Sequence, residues 1–178
     1  MHYMALDKSK QAEIENLFSS VFTVSEGEEE GRSIGRLASA LSKNIDGQEI
    51  ICFGAYDGES LIGAIFFTLL EYNIPAQIFL LSPVAVSTSY QGKGVGQELI
   101  NFGLRELKNR NVDVVLTYGD PAFYTKVGFQ NLSEGVLQAP FKLSMPWGWL
   151  GQSIRIDNIP ISSTCPTCVE EFNNPALW

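Results

Sequence analysis

Three glycines fall within six residues at QGKGVG, Gln91 to Gly96. The stretch separates an apolar run, IFLLSPVAVSTSY, from a run with helical spacing, QELINFGLRELKNR. A loop in that position opens a helix, where free backbone N–H groups and the positive end of the helix dipole attract anions. Glycine lets the backbone approach a bulky diphosphate closely, and Lys93 adds local positive charge. A flexible turn is the plainer alternative. Two nucleotide-binding patterns are excluded by the residues themselves. A P-loop reads G-x-x-x-x-G-K-[ST], whereas Gly94 follows Lys93 here and no glycine stands before Gly92 at the required spacing. The dinucleotide fingerprint G-x-G-x-x-G fails because position 97 is glutamine.

The other residues able to do chemistry are the three cysteines. Cys52 lies inside IICFGAY and reads as a buried thiol. Cys165 and Cys168 form CPTC near the C-terminus. A structural zinc ion takes four ligands, and the chain has a single histidine, His2. A redox CxxC opens a helix after a strand, whereas this one lies among Ser, Thr and Pro. The reading is reduced thiols and no metal.

The 178 residues suit one domain, 1–178, with 157–178 as a C-terminal tail. Apolar residues make up 45% and charged residues 18%, as in a globular protein. The net charge of −8 and the lack of a basic patch argue against nucleic acid as a partner and favour a cationic small molecule. LIGAIFFTLL, Leu61 to Leu70, is too short to span a bilayer, and MHYMALDKSK has no apolar core of a signal peptide. The expectation is a cytoplasmic protein that is not membrane-bound.

The elements around the glycine loop follow from periodicity. Ile14, Leu17, Phe18, Val21 and Phe22 predict a helix over Asp7 to Val24. A solvated acidic loop with Glu26, Glu28, Glu29 and Glu30 follows, then a short second helix at Leu37 to Leu41. Strands are predicted at Glu49 to Tyr56 and Leu61 to Glu71, joined by the D-G turn of DGES, and at Ile78 to Val86. A helix runs from about Gly96 to Arg110, with Leu99, Ile100, Gly103, Leu104 and Leu107 facing the core. VDVVLT, Val112 to Thr117, is a buried strand. Asp120 caps a short helix over Pro121 to Lys126 that Gly128 ends. Further strands are expected in GVLQAPFKLSM and SIRIDNI. This is an α/β mixture with an antiparallel front half and a βαβ unit behind it.

VAVSTSYQGKGVGQELI resembles the acyl-CoA-binding segment of the GNAT superfamily of N-acetyltransferases. The family pattern, a V-x-V-like strand end, [RQ]-x-x-G-x-[GA] and a helix, reads here as Val84, Val86, Gln91, Gly94 and Gly96. DPAFYTKVGF is similar to the family's second signature, Y-x-x-x-G-F, here Tyr124, Gly128 and Phe129. The match covers about Glu49 to Phe129. Thr88 stands where many members have proline, and YGDPAF replaces a longer turn that often carries asparagine.

The resemblance implies the GNAT acyl-CoA N-acyltransferase fold: a mixed, mostly antiparallel sheet with helices on both faces and two parallel strands that splay apart. It implies acetyl-CoA as co-substrate and a small-molecule or peptide primary amine as acceptor, in a chain compatible with a homodimer. Val84, Ala85 and Val86 would pair with the pantetheine arm. The amides of Gly92, Lys93, Gly94, Val95, Gly96 and Gln97, with Gln91 beside them, would hold the pyrophosphate, and Ala122 and Tyr124 would complete the cofactor contacts. Tyr124 would protonate or stabilise the leaving thiolate, and the Val86 amide would donate to the oxyanion. No residue is assigned as the base; Glu71 and the Glu26 to Glu30 run are near candidates. Phe141, Trp147 and Trp149 read as core, as an oligomer contact, or as an acceptor-side wall. The rival readings are a non-catalytic acyl-CoA-binding module, and a redox or metal protein built on Cys165 and Cys168.

Overall fold

The computed structural model describes residues 1–178. Its strands are β1 (His2–Leu6), β2 (Ile50–Asp57), β3 (Ser60–Glu71), β4 (Ile78–Val86), β5 (Val114–Tyr118), β6 (Gln130–Asn131), β7 (Trp149–Ser153) and β8 (Thr167–Cys168). Its helices are α1 (Gln11–Glu26), α2 (Glu28–Lys43), α3 (Val95–Asn109) and α4 (Pro121–Tyr124). The eight strands form one mixed sheet in the order β1-β2-β3-β4-β5-β7-β6, with β8 added alongside β3. The chain divides into two compact units, Met1–Phe67 with Pro83–Gly103, and Thr68–Ser82 with Leu104–Trp178. β3, β4 and α3 run through both.

In the first unit β2 is buried on both faces from Ile50 to Tyr56, as a central strand requires. Asp57 to Ser60 turns it back, with Gly58 at φ 60°. Phe53 meets Phe67 and Phe102 edge-on, with ring centroids 6.0 and 5.5 Å apart. α3 seats on this cluster because residue 103 is glycine: a Cβ there would lie 2.6 Å from the Phe67 ring.

The N-terminal half departs from the sequence reading in two places. MHYMAL forms β1, antiparallel to β2 with His2 opposite Tyr56 and Leu6 opposite Cys52. Only Leu6 of this strand is buried, so no alternating pattern announces it. The acidic run is not a loop. Glu28, Glu29 and Glu30 are the first turn of α2, where the helix dipole favours negative charge. The short helix expected at Leu37 to Leu41 belongs to the same 16-residue element. Gly27, at φ 99°, is the only break between α1 and α2. The two helices then approach too closely for side chains at Gly31 and Gly35, where a Cβ would fall 1.9 Å from Thr23 Oγ1 and 2.0 Å from Ser19 Oγ.

In the second unit β4 and β5 are parallel, paired from Ile78 with Val114 to Leu81 with Thr117. β7 lies antiparallel on the other side of β5. GVLQAPFKLSM is irregular despite burying Leu137, Ala139 and Leu143. SIRIDNI is not a strand either, since β7 ends at Ser153. Just beyond it Asp113, only 6% exposed, takes Arg155 through two nitrogens at 2.7 and 2.8 Å. Its backbone carbonyl also accepts from Ile154 N. These contacts tie residues 154 and 155 to the start of β5, where the regular ladder has already ended at Ser153. Residues 157–178 carry β8, whose Cys168 pairs with Leu70, and two buried aromatics, Phe172 and Trp178.

Candidate active site

The glycine loop belongs to the first unit. β4 ends at Val86, a 3-10 turn covers Thr88–Tyr90, and α3 begins at Val95. Gly92 and Gly94 sit at φ 73° and 81° with nothing within 4 Å of an added Cβ. Glycine is needed there for backbone conformation, not for lack of room. The first helical bond of α3 runs from Glu98 N to Gly94 O at 3.0 Å. The amides of Val95, Gly96 and Gln97 therefore precede the ladder and have no partner within the helix.

The loop is braced from three sides. Ser87 N donates to Ile62 O at 2.7 Å. Tyr90 donates its hydroxyl to Asp57 Oδ2 at 2.7 Å, and Lys93 lies over the Tyr90 ring, 5.4 Å from its centroid. Gln91 donates its side-chain amide to Val86 O at 2.9 Å. That side chain holds the strand end to the loop. Ala85 is buried, and Val84 and Val86 on either side of it are half-buried. Glu98, in the first turn of α3, would oppose an anion, but it accepts the Tyr3 hydroxyl at 2.5 Å. Burial, and then that contact, push the Tyr3 hydroxyl up to about 12.

Tyr124 belongs to the second unit. Asp120 Oδ1 accepts from Ala122 N at 2.9 Å, which caps α4 as the sequence predicts. A 3-10 turn over Thr125–Val127 follows, and Gly128 ends it at φ 95°. The Tyr124 ring is held edge-on by Phe123 and Phe129, at 5.0 and 5.7 Å between centroids. Burial pushes its hydroxyl up to about 12, against a lowering by the Thr117 hydroxyl beside it and with a smaller push from the Asp120 charge. Thr117 is fully buried and donates to Leu81 O at 2.7 Å. Tyr124 is therefore a neutral phenol at any physiological pH, with a proton to give.

Beside it lies a cavity of about 340 Å³ at the C-terminal end of β5. Its floor is the backbone of Gly119 and Gly148, joined by Gly119 N donating to Gly148 O at 2.9 Å. Its walls are Tyr118, Pro121, Met145 and Trp147, and Asp120 is the one ionisable group at its edge apart from the Tyr118 phenol. Gly119 also presses on Tyr124, since an added Cβ would lie 2.7 Å from Cε2 of that ring. Trp147 is 66% exposed. Trp149 is core, 1% exposed, with its indole N–H on Leu137 O at 2.9 Å. Phe141 does not line the cavity. Neither Glu71, in register with Thr167, nor any residue of the Glu26 to Glu30 run lines it.

Sequence reasoning missed Thr117, Tyr118 and Met145. The available signal for Thr117 and Tyr118 was their place at the carboxyl end of a parallel strand, where ligands gather in α/β sheets; Met145, between β6 and β7, carried none. No group of three or more His, Cys, Asp and Glu side chains is arranged to hold a metal ion. Cys165 Sγ approaches Pro140 O at 3.4 Å, and all three cysteines are free thiols. No helix is long and apolar enough to cross a membrane.

A mixed sheet whose parallel neighbours stop pairing at Leu81 and Thr117, with a glycine loop opening the following helix, is the architecture of an acyl-CoA N-acyltransferase. Residues 48–131 match the acetyltransferase (GNAT) domain model, which identifies that segment as a GNAT domain. It is 28% identical over 128 residues to the uncharacterized N-acetyltransferase YjhQ of Escherichia coli strain K12, a match covering 70% of this chain and 66% of that protein. YhbS of the same organism, also an uncharacterized N-acetyltransferase, is 38% identical over 50 residues, covering 28% of this chain and 30% of that one. The matched stretches thus cover less than two thirds of either relative. The crystal structure of Escherichia coli YhbS in complex with CoA superposes with a TM-score of 0.80 at 22% identity, covering 97% of this chain and 92% of that one. An aminoglycoside 6'-N-acetyltransferase from Enterococcus faecium superposes with a TM-score of 0.63 at 18% identity, covering 89% and 99%.

Proposed function

We propose that the protein transfers an acetyl group from acetyl-CoA to a primary amine. The observation that carries this is the braced loop at the start of α3. Two left-handed glycines are followed by three helix-opening amides, a ready receptor for a diphosphate. The CoA found in the YhbS structure supports the choice of diphosphate ligand. In this reading Gly92 to Gln97 hold the pyrophosphate, and the backbone of Val84 to Val86 takes the amides of the pantetheine arm. The Val86 N–H donates to the oxyanion, Ala122 lies along the cofactor, and Tyr124 serves the leaving sulfur. Gln91 acts by holding Val86, and Lys93 by adding charge near the phosphates.

The reaction is direct attack of an uncharged amine on the thioester carbonyl, through a tetrahedral intermediate. A thiol has a pKa near 8.5, and a phenol near 12 lies about 3.5 units above it. Full transfer of the phenolic proton to the thiolate is then uphill by roughly 5 kcal/mol. Tyr124 accordingly works first as a hydrogen-bond donor to developing charge on sulfur. Tyr124→Phe should lower kcat about 10²-fold or more while acetyl-CoA still raises the melting temperature.

The test of the loop is direct. Millimolar acetyl-CoA should raise Tm, and Gly94→Glu should abolish the rise by placing a carboxylate, and a side chain at φ 81°, in the phosphate cradle. An unchanged Tm in the wild type would sink the assignment. If acetyl-CoA binds but no amine in a broad panel releases CoA, the protein is instead a non-catalytic acyl-CoA-binding module.

A further inference from the structure

The cavity at the end of β5 has a lining that indicates its occupant. We propose that it holds the acceptor, and that it selects a compact primary amine with a single positive charge on an aromatic or other apolar body. This rests on the acetyl transfer proposed above.

Position comes first. Gly119 forms part of the cavity floor and at the same time touches the Tyr124 ring. Gly119 is thus the residue shared by the cavity lining and the packing of the Tyr124 ring. The wall is apolar and open: Met145 and Trp147 are 51% and 66% exposed, side by side on one short loop. Large apolar side chains left in contact with water in one concave patch mark a binding surface.

The wall is also held in place before any ligand arrives. Tyr118 accepts from Met145 N at 2.7 Å, and its hydroxyl lies 3.1 Å from Ser144 Oγ. Its ring stacks on Trp178, with centroids 6.2 Å apart and planes 15° from parallel. Preorganisation of this kind strengthens binding by removing an ordering cost.

Charge and size define the class. Asp120 is the only carboxylate lining the cavity, and its orientation is set by the bond from Ala122 N. One carboxylate suits one ammonium, and the face of Trp147 favours the same cation. A volume of about 340 Å³ lies at the small end of the roughly 300–1,000 Å³ of ligand sites. It accommodates a single ring with a short chain, and its one carboxylate leaves the further charges of a polycationic amine without a partner. In the reaction the ammonium first gives one proton to solvent. The nitrogen lone pair then forms the C–N bond, the C–S bond breaks, and the second proton lost from nitrogen ends on sulfur as the CoA thiol. The products are an N-substituted acetamide and free CoA.

Tryptophan fluorescence tests the pocket without the thioester. Trp149 and Trp178 are 1% and 5% exposed, so a titration with phenethylamine reads mainly Trp147. A saturable emission change is expected in the wild type and none in Trp147→Ala, whose Tm should still rise with acetyl-CoA. In turnover, phenethylamine should exceed spermidine and kanamycin in kcat/KM by about tenfold or more. Trp147→Ala should raise its KM about tenfold with kcat changed less than about threefold. Absence of phenethylamine binding overturns the inference, as does a preference for spermidine or kanamycin that Trp147→Ala leaves intact. Phenethylamine binding with no response to acetyl-CoA removes the acetyl-transfer reading instead and leaves the amine pocket standing.

Discussion

Gly119→Ala separates the positioning of Tyr124 from its chemistry. A methyl at residue 119 would lie 2.7 Å from Cε2 of the Tyr124 ring, where ordinary contact begins near 3.4 Å. The ring must retreat by about 0.7 Å, and it cannot do so by a simple rotation. Phe123 and Phe129 meet it edge-on, and Thr117 stands at its hydroxyl. The hydroxyl therefore moves with the ring. Misplacement of a reacting group by about 1 Å costs on the order of 10²-fold, so kcat should fall about 10- to 100-fold. Overpacking should cost about 1–3 kcal/mol, a Tm drop of about 2–4 °C per kcal/mol at this chain length. CoA release with the best amine of the panel gives kcat, and the acetyl-CoA-induced Tm rise should persist because the glycine loop is untouched. A variant with wild-type kcat would refute the argument that Gly119 sets the phenol's position. A variant that loses the acetyl-CoA response as well would show general unfolding instead.

Two further outcomes follow from the same geometry. Burial raises the Tyr124 hydroxyl to about 12, so the folded state favours the phenol. Any stability from this group is present below pH 10 and is lost as pH rises from 10 toward 12. The donor should stay intact below about pH 11, so an alkaline fall of kcat beneath that pH, absent from Tyr124→Phe, would contradict the assignment. Trp178→Ala removes a buried ring that stacks on Tyr118, meets Trp149 edge-on and donates its indole N–H to Phe172 O at 3.0 Å. A loss of about 3–5 kcal/mol in chemical denaturation is expected, together with a raised KM for the amine.

Much of the frame was legible in the chain because it rests on local rules. The bounds of β4 were readable from an uninterrupted apolar run, and α3 from a 3.6-residue stripe. Asp120-Pro121 and Gly128 bracketed α4 because capping and left-handed backbone are properties of single residues. The glycine loop was legible for the same reason, as φ values of 73° and 81° require glycine whatever surrounds them. The need for glycine at 103 and 119 has a different origin, since it comes from the Phe67 and Tyr124 rings that pack against them.

Features that depend on a distant partner were not readable. β1 is an edge strand defined by its register on β2, and only Leu6 of it is buried. Where a strand was expected in SIRIDNI, Arg155 instead pairs with Asp113, 42 residues away. Trp147 and Trp149 are two residues apart and look alike in the chain, yet one is exposed on a cavity wall and the other is core. Which of them is buried is decided by the β5–β7 register, which sets Trp149 opposite Tyr118, and by Trp178 packing against Trp149 and Tyr118. Residue type and spacing therefore determined the glycine loop and the likeness to the GNAT domain. The tertiary structure alone decided the shape and polarity of the amine-sized cavity, because its walls come from segments that meet only on folding.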